Sequence, residues 1–381
     1  MKLLIVPSMR VSDHSRPKGW KWLTAAKSVA RGRYTQARRL FAMEHCDEVN
    51  FFGEMPDLNG VEDTYILGNY TPGYTKRGVP EDSHYPSHHG LPKGRHVSVK
   101  EARCLISSSR GIGRPTVDVV LIEALSGPVG EYIREEAREN GRLVCILDFF
   151  DDGKHLADPT NVSPFRQWSR GRDDFDLYFK LCCPVGGYPG VIPLSLLPVR
   201  AQNYPSTGGL HYNDRDISVF FRGAIKDKKR SDRATMASEI RKRVQFSVIE
   251  DRFGPEPCPL SRYWELMGRS RIGLSPGGTT IVWDCIRHAE LGLFGCVPLM
   301  PTRLQELAQG EIVDGKNCLV YETDKDGTIR DLEGTIERVR DVSRNRVEWE
   351  RLSLAWRNEV LTNHTTIVRQ KYMLAEMGKR L

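Results

Sequence analysis

The residues best suited to chemistry lie in one stretch, Ser270–Met300, SRIGLSPGGTTIVWDCIRHAELGLFGCVPLM. A short apolar run, Ile272–Leu274, leads into Ser-Pro-Gly-Gly-Thr-Thr and then into residues of helical character. Gly292, Gly295 and Pro298 close that helix and open a second apolar run, Cys296–Met300. The pattern reads as strand, glycine turn, helix, strand. A glycine turn feeding a helix start presents backbone N–H groups and the positive end of the helix dipole, which suits phosphate. Pro276, Gly277, Gly278, Thr279 and Thr280 are therefore candidate phosphate-binding residues.

The same stretch holds a false lead. Gly273-Leu274-Ser275-Pro276-Gly277 fits the G-x-S-x-G elbow of serine hydrolases. That site needs a backbone N–H from the residue after the serine, and Pro276 has none. Metal patterns are weak. Asp174-Phe175-Asp176, Asp214-Arg215-Asp216 and Asp324-Lys325-Asp326 fit a short D-x-D pattern, which 49 acidic residues produce near chance. His84, His88, His89 and His96 lack zinc-ligand spacing and read as an exposed loop. No metal or other cofactor is expected.

A third feature is charge. The net charge is +7, and Lys2–Arg39 carries ten Lys/Arg against one acid, Asp13. Most of these residues fall on a helix predicted over Trp20–His45, with Arg16 and Lys18 just before it. Such clustering points to a polyanionic partner, and Arg16, Lys18, Lys21, Arg31, Arg33 and Arg38 are its candidate contacts. A solvated helix face is the competing reading. Trp20 and Trp22 offer stacking surfaces for bases, or else core packing.

The elements that must position these residues follow from pattern and composition. At 381 residues, with 39% hydrophobic and 28% charged content, the chain is an ordinary globular protein of two domains or one large α/β unit. No segment approaches a membrane span. The four-residue run Leu3–Val6 before Pro7 is too short for a signal peptide and reads as a first strand. Nine unpatterned cysteines imply reduced thiols and a cytoplasmic setting.

Strands are expected at Lys2–Ser8, Glu48–Gly53, Thr64–Leu67, Val117–Ala124, Arg142–Phe149, Phe175–Cys182 and Val191–Pro198, with a helix at Val129–Asn140. This alternation indicates βαβ units and a parallel sheet. Asn69–Pro115, rich in Pro and Gly, reads as a long excursion with a helical piece near His96–Ser107. Gln202–Asp216 reads as a linker. A second α/β unit follows, with strands Ile217–Phe221, Phe246–Ile249 and Asn317–Tyr321 and a helix Ser231–Arg243. Leu332–Leu381 is nearly all helical by pattern.

Two α/β units, a linker and a helical tail resemble the two-Rossmann architecture of GT-B glycosyltransferases. The resemblance is specific at three places: Leu274-Ser275-Pro276-Gly277, Arg287-His288-Ala289-Glu290 and Gly295-Cys296-Val297-Pro298. Bacterial glycosyltransferases and the exostosin-like family carry such a Pro-Gly turn, R-x-x-E pair and Gly-Cys-x-Pro strand. Phe220-Phe221-Arg222-Gly223-Ala224 also looks like the start of their donor domain. The likeness covers about Ile217–Tyr321. It implies an α/β fold of two Rossmann-like domains with a deep cleft between them. An acceptor domain over 1–205, with an insertion at about 69–115, would precede a donor domain over 206–345. Helices in 346–381 would cross back to the first domain.

The resemblance also implies roles. Arg222, Gly223, Lys228, Arg233 and Arg287 would join the glycine turn around a nucleotide-sugar diphosphate, favouring UDP, without a metal. Lys226–Arg230 reads mostly as a solvated turn. Glu290 would hold the ribose hydroxyls; a simple Arg287–Glu290 surface pair is the alternative. Asp13, His14 and Asp148 are candidates for the general base, with Asp151 and Asp152 nearby. Some viral glycosyltransferases modify hydroxymethylated bases in DNA, so DNA is the favoured acceptor and a bacterial host cytoplasm the setting if the chain is viral. A saccharide or lipid-linked acceptor, or a non-catalytic nucleic-acid binder on a Rossmann-like scaffold, are the alternatives. A monomer or weak dimer is expected.

Overall fold

A computed structural model describes residues 1–6, 50–53, 63–67, 69–72, 95–107, 116–123, 127–148, 175–181, 191–194, 211–223, 225, 231–251, 259–276, 287–302, 310–324 and 328–381. The chain is α/β, built on parallel sheets as the sequence predicts.

The first sheet has seven strands. These are β1 (Lys2–Val6), β3 (Asp63–Leu67), β5 (Arg95–Val97), β6 (Val119–Glu123), β7 (Leu143–Asp148), β8 (Leu177–Leu181) and β9 (Val191–Leu194), in the order β5-β3-β1-β6-β7-β8-β9. Every pairing is parallel. Leu3, Leu4, Ile5 and Val6 are all fully buried, because helices cover a parallel sheet on both faces. Helices α1 (Val99–Ser107) and α2 (Gly127–Glu139) supply part of that cover. A separate parallel pair, β2 (Asn50–Gly53) and β4 (Asn69–Pro72), stands apart from this sheet.

The second sheet has five parallel strands. They are β10 (Ile217–Gly223), β11 (Val248–Asp251), β12 (Ser270–Leu274), β13 (Val297–Pro301) and β14 (Leu319–Tyr321), in the order β11-β10-β12-β13-β14. Around it lie α3 (Ser231–Arg243), α4 (Leu260–Gly268), α5 (Arg287–Leu293), α6 (Leu332–Arg344) and α7 (Arg346–Asn363). The last helix, α8 (Thr366–Gly378), behaves differently. Its Met373 and Met377 belong to the core of the first sheet, whereas Trp349 and Trp356 of α7 belong to the core of the second. The helical tail is cut into three by its own caps. Asp331, Asn345 and Thr365 each accept a hydrogen bond from the backbone three residues on, which starts a new helix each time.

Some boundaries differ from the sequence reading. β11 begins at Val248 rather than Phe246, because Phe246 sits at φ 57 in a left-handed turn with its ring exposed. The 69–115 excursion contains two strands, β4 and β5, and its helix begins at Val99. Both strands are short and polar, so no alternating apolar pattern marked them. The helix expected over 20–45 lies outside the described residues.

Candidate functional site

In an open parallel sheet, ligands collect at the carboxyl ends of strands where the strand order reverses direction. In the second sheet that point falls between β10 and β12. β10 ends on Arg222 and Gly223, and β12 runs into Ser275 and Pro276. The sequence-selected motif therefore opens at the switch point.

Close packing holds these ends in place. Gly273 of β12 lies against Leu291 of α5, and a Cβ there would fall 2.0 Å from a Leu291 methyl. Gly295, at φ +65, turns the chain from α5 into β13. Ser275 is fully buried and its N–H donates to the Leu299 carbonyl at 2.9 Å.

Three predicted donor residues meet here. Arg287, at the start of α5, donates through Nη2 to the Arg222 carbonyl at 2.5 Å. Its guanidinium lies 5.1 Å from the centre of the Phe221 ring, within cation–π range. Its Nε donates to the Tyr263 hydroxyl at 3.3 Å, and that hydroxyl donates to Glu290 Oε2 at 3.2 Å. Arg287 and Glu290 are thus joined through a third side chain. Glu290 is fully buried. Arg222 is ion-paired with Glu250 of β11. The Arg287 guanidinium thus lies on the carboxyl end of β10, while that of Arg222 reaches across to β11.

Other predicted residues stand elsewhere. Arg233 is buried in the first turn of α3, next to Asp232, which accepts a hydrogen bond from Tyr321 at 3.3 Å. Asp148 ends β7, two strands from β1 in the first sheet, whose order reverses between β1 and β6. Asp13, His14, Lys228, Gly277, Gly278, Thr279 and Thr280 lie outside the described residues. So do Arg16, Lys18, Lys21, Arg31, Arg33, Arg38, Asp151 and Asp152.

The D-x-D patterns resolve into ordinary structural contacts where they are described: Asp176 accepts from the Val144 N–H and Asp214 from the His211 N–H. Asp216 pairs with Arg269, and Asp324 with Arg330. The charged hydrogen bonds from Arg269 hold the Asp216 carboxyl below its usual range. No group of three or more His, Cys, Asp or Glu among the described residues is placed to hold a metal. No described helix is long and apolar enough to cross a membrane.

Tyr263 and Glu250 were not foreseen. Glu250 becomes visible only through strand register, which pairs it with Arg222. Tyr263 lies 24 residues before Arg287, on a helix with no motif of its own.

No protein-family profile matches this chain, and no curated protein matches it. Solved structures do. The N-terminal domain of a Candida albicans trehalose-6-phosphate phosphatase is similar over 100% of this chain and 97% of its own, at 10% identity and a TM-score of 0.50. An alpha-glucosyltransferase in complex with UDP and a 13-mer DNA containing a central A:G mismatch is similar over 98% of this chain and 99% of its own, at 13% identity and a TM-score of 0.48. An alpha-glucosyltransferase in complex with UDP-glucose and DNA containing an abasic site is similar over 82% and 90%, at 12% identity and a TM-score of 0.44. At these identities the likeness concerns the fold alone.

Proposed function

We propose that this chain is a glycosyltransferase of GT-B type. It binds a nucleotide sugar, UDP-linked, at the carboxyl edge of its second sheet and transfers the sugar to a hydroxyl of a DNA base. The observation that supports this reading is that Arg287 and Arg222 both stand at the carboxyl end of β10, Arg287 on its carbonyl and Arg222 as its penultimate residue, beside the switch point where β12 runs into Pro276. In the transfer, the bond from the sugar C1 to the diphosphate oxygen breaks and a bond from C1 to the acceptor oxygen forms. The acceptor proton passes to a base, for which Asp13, His14 and Asp148 remain the candidates. The leaving diphosphate gains charge, and fixed guanidinium groups stabilise that charge as it develops. No metal is needed for this step. Glu290 is assigned the ribose hydroxyls, and Arg16, Lys18, Lys21, Arg31, Arg33 and Arg38 the acceptor's phosphates.

The test has two arms. Titration calorimetry should show UDP binding, and UDP-glucose should be consumed with UDP release when a hydroxymethylated duplex is added. Duplex binding should also weaken steeply between about 50 and 200 mM salt, as phosphate contacts require. Absence of UDP binding overturns the donor site. UDP binding without any salt-sensitive duplex binding overturns the DNA acceptor and points to a saccharide or lipid-linked one.

A further inference from the structure

Tyr263 lies on α4, outside every motif that marks the donor site. Its ring is nearly buried and meets Phe220 edge-on, with centroids 5.5 Å apart. Phe220 is itself fully buried in β10. Packing therefore fixes the ring and leaves the hydroxyl at one place, between Arg287 and Glu290.

Chemistry fixes the direction of the two hydrogen bonds. Arg287 Nε is a donor only, so the phenol oxygen accepts there. The phenol proton is then committed to the Glu290 carboxylate, which is an acceptor only. Arg287 is held in turn by the Arg222 carbonyl and the Phe221 ring. A single hydroxyl thus couples the cation at the end of β10 to the buried carboxylate of α5.

We propose that Tyr263 is a positioning residue of the donor site, and that by orienting Glu290 it sets selectivity for ribose over deoxyribose. The inference rests on the nucleotide-sugar reading above. Tyr263 donates to Glu290 Oε2 and so helps to fix the plane of a carboxylate that offers about four lone-pair sites. A ribose hydroxyl that donates to an oriented, buried carboxylate is discriminated strongly from its absence. The deoxy ligand leaves a buried acceptor without that bond. A carboxylate that has lost the Tyr263 bond is less well oriented and discriminates less.

The probes are UDP and 2′-deoxy-UDP, measured by calorimetry on the full chain. Wild type should prefer UDP by at least about tenfold, the lower end expected of a hydroxyl read by a charged acceptor. Tyr263→Phe keeps the ring and its packing. It removes an acceptor from Arg287, which acts on both ligands alike, and the bond to Glu290, which acts on the ribose hydroxyl alone, so UDP should weaken about tenfold more than 2′-deoxy-UDP and the preference should collapse. A merely structural loss would weaken both ligands alike and leave the ratio standing. Glu290→Gln should also collapse the ratio, and the double variant should not narrow it further, since both changes remove one coupled contact. A ratio preserved in Tyr263→Phe overturns the inference while leaving the donor site intact. A wild type that binds UDP with no ribose preference does the same. A wild type that does not bind UDP overturns both.

Discussion

Arg222 and Glu250 are register partners on adjacent parallel strands, and their side chains are ion-paired at the carboxyl edge of the second sheet. The Arg222 side chain is 15% exposed and that of Glu250 38%, so the pair sits at the rim rather than in the core. If Arg222 clamps a diphosphate, Glu250 occupies the same cation when the donor is absent. Arg222→Ala should weaken UDP binding by about 1.5–3 kcal/mol, the range for a hydrogen bond to a charged group. Glu250→Gln should act in the opposite sense and tighten UDP by a few fold, because it removes a competing anion. Calorimetry of both variants at one salt concentration decides the matter. A loss of affinity in both would make Glu250 a support for Arg222 and not its competitor.

The strands were legible because parallel strands buried on both faces are written as continuous apolar runs. Leu3–Val6 and Val297–Met300 are examples, each fully buried. The end of β12 at Pro276 was legible because Pro and Gly punctuate an apolar run, while Gly277–Thr280 lie outside the described residues. Tyr263 and Glu250 were not legible. Their partners lie 24 and 28 residues away, and only the packing of α4 and the register of β11 bring them together. The full burial of Glu290 was foreshadowed by its apolar flank, Leu291–Phe294. The link from Glu290 to Arg287 through a third residue was not, since helical spacing predicts only a direct pair. Short polar strands such as β5 carry no period at all and emerge only from the sheet that recruits them.

Arg215 should be a stability determinant of the second sheet. Its guanidinium is buried, donates to the carbonyls of Ser270 and Phe294, and lies 4.9 Å from the Trp349 ring. It joins the start of β12, the turn before β13 and helix α7. Arg215→Ala leaves two carbonyls without this donor and opens a void. A loss of about 3 kcal/mol or more is expected from these two effects together. Arg215→Lys keeps the charge but cannot fork to both carbonyls or stack, and should lose somewhat less. Urea unfolding measures both. Burial pushes the neighbouring Cys296 thiol up despite the opposing pull of Arg215, so native protein should resist alkylation there.

The contact of α8 with the first sheet gives a second stability test. Met377 is fully buried in that sheet's core although it follows the second sheet in the chain. Met377→Ala should lose about 2–5 kcal/mol, as for other large-to-small changes in a core. The effect should appear as faster amide exchange in β1 and β6 of the first sheet. Unchanged exchange there, with altered exchange only around α7, would show that α8 stabilises the second sheet instead.

His364 closes α7 immediately before Thr365 caps α8, and it should make stability depend on pH near neutrality. It is fully buried, 3.3 Å from Glu359 of α7 and 3.0 Å from Arg369 of α8, with His288 of α5 also acting on it. Burial pushes its pKa below the ordinary 6.5, and Arg369 and His288 reinforce the fall against the upward pull of Glu359. The folded chain therefore takes up this proton less readily than the unfolded chain does. Its contribution is complete above about pH 6.5 and is lost as the pH falls below that value, where only the unfolded state is readily protonated. Burial raises Glu359, but the pulls of His364, Asn363 and the Glu311 N–H outweigh it and leave its carboxyl below the usual 4.5. Its own contribution is therefore lost only in more acidic solution. Between pH 7.5 and 5.5 the melting temperature should drop in wild type and drop less in His364→Gln, which has nothing to protonate. Glu359→Gln removes a carboxylate that raises His364, so its decline should continue to lower pH. Equal slopes in wild type and His364→Gln would show that the imidazole is already protonated in the folded chain, with Glu359 outweighing burial.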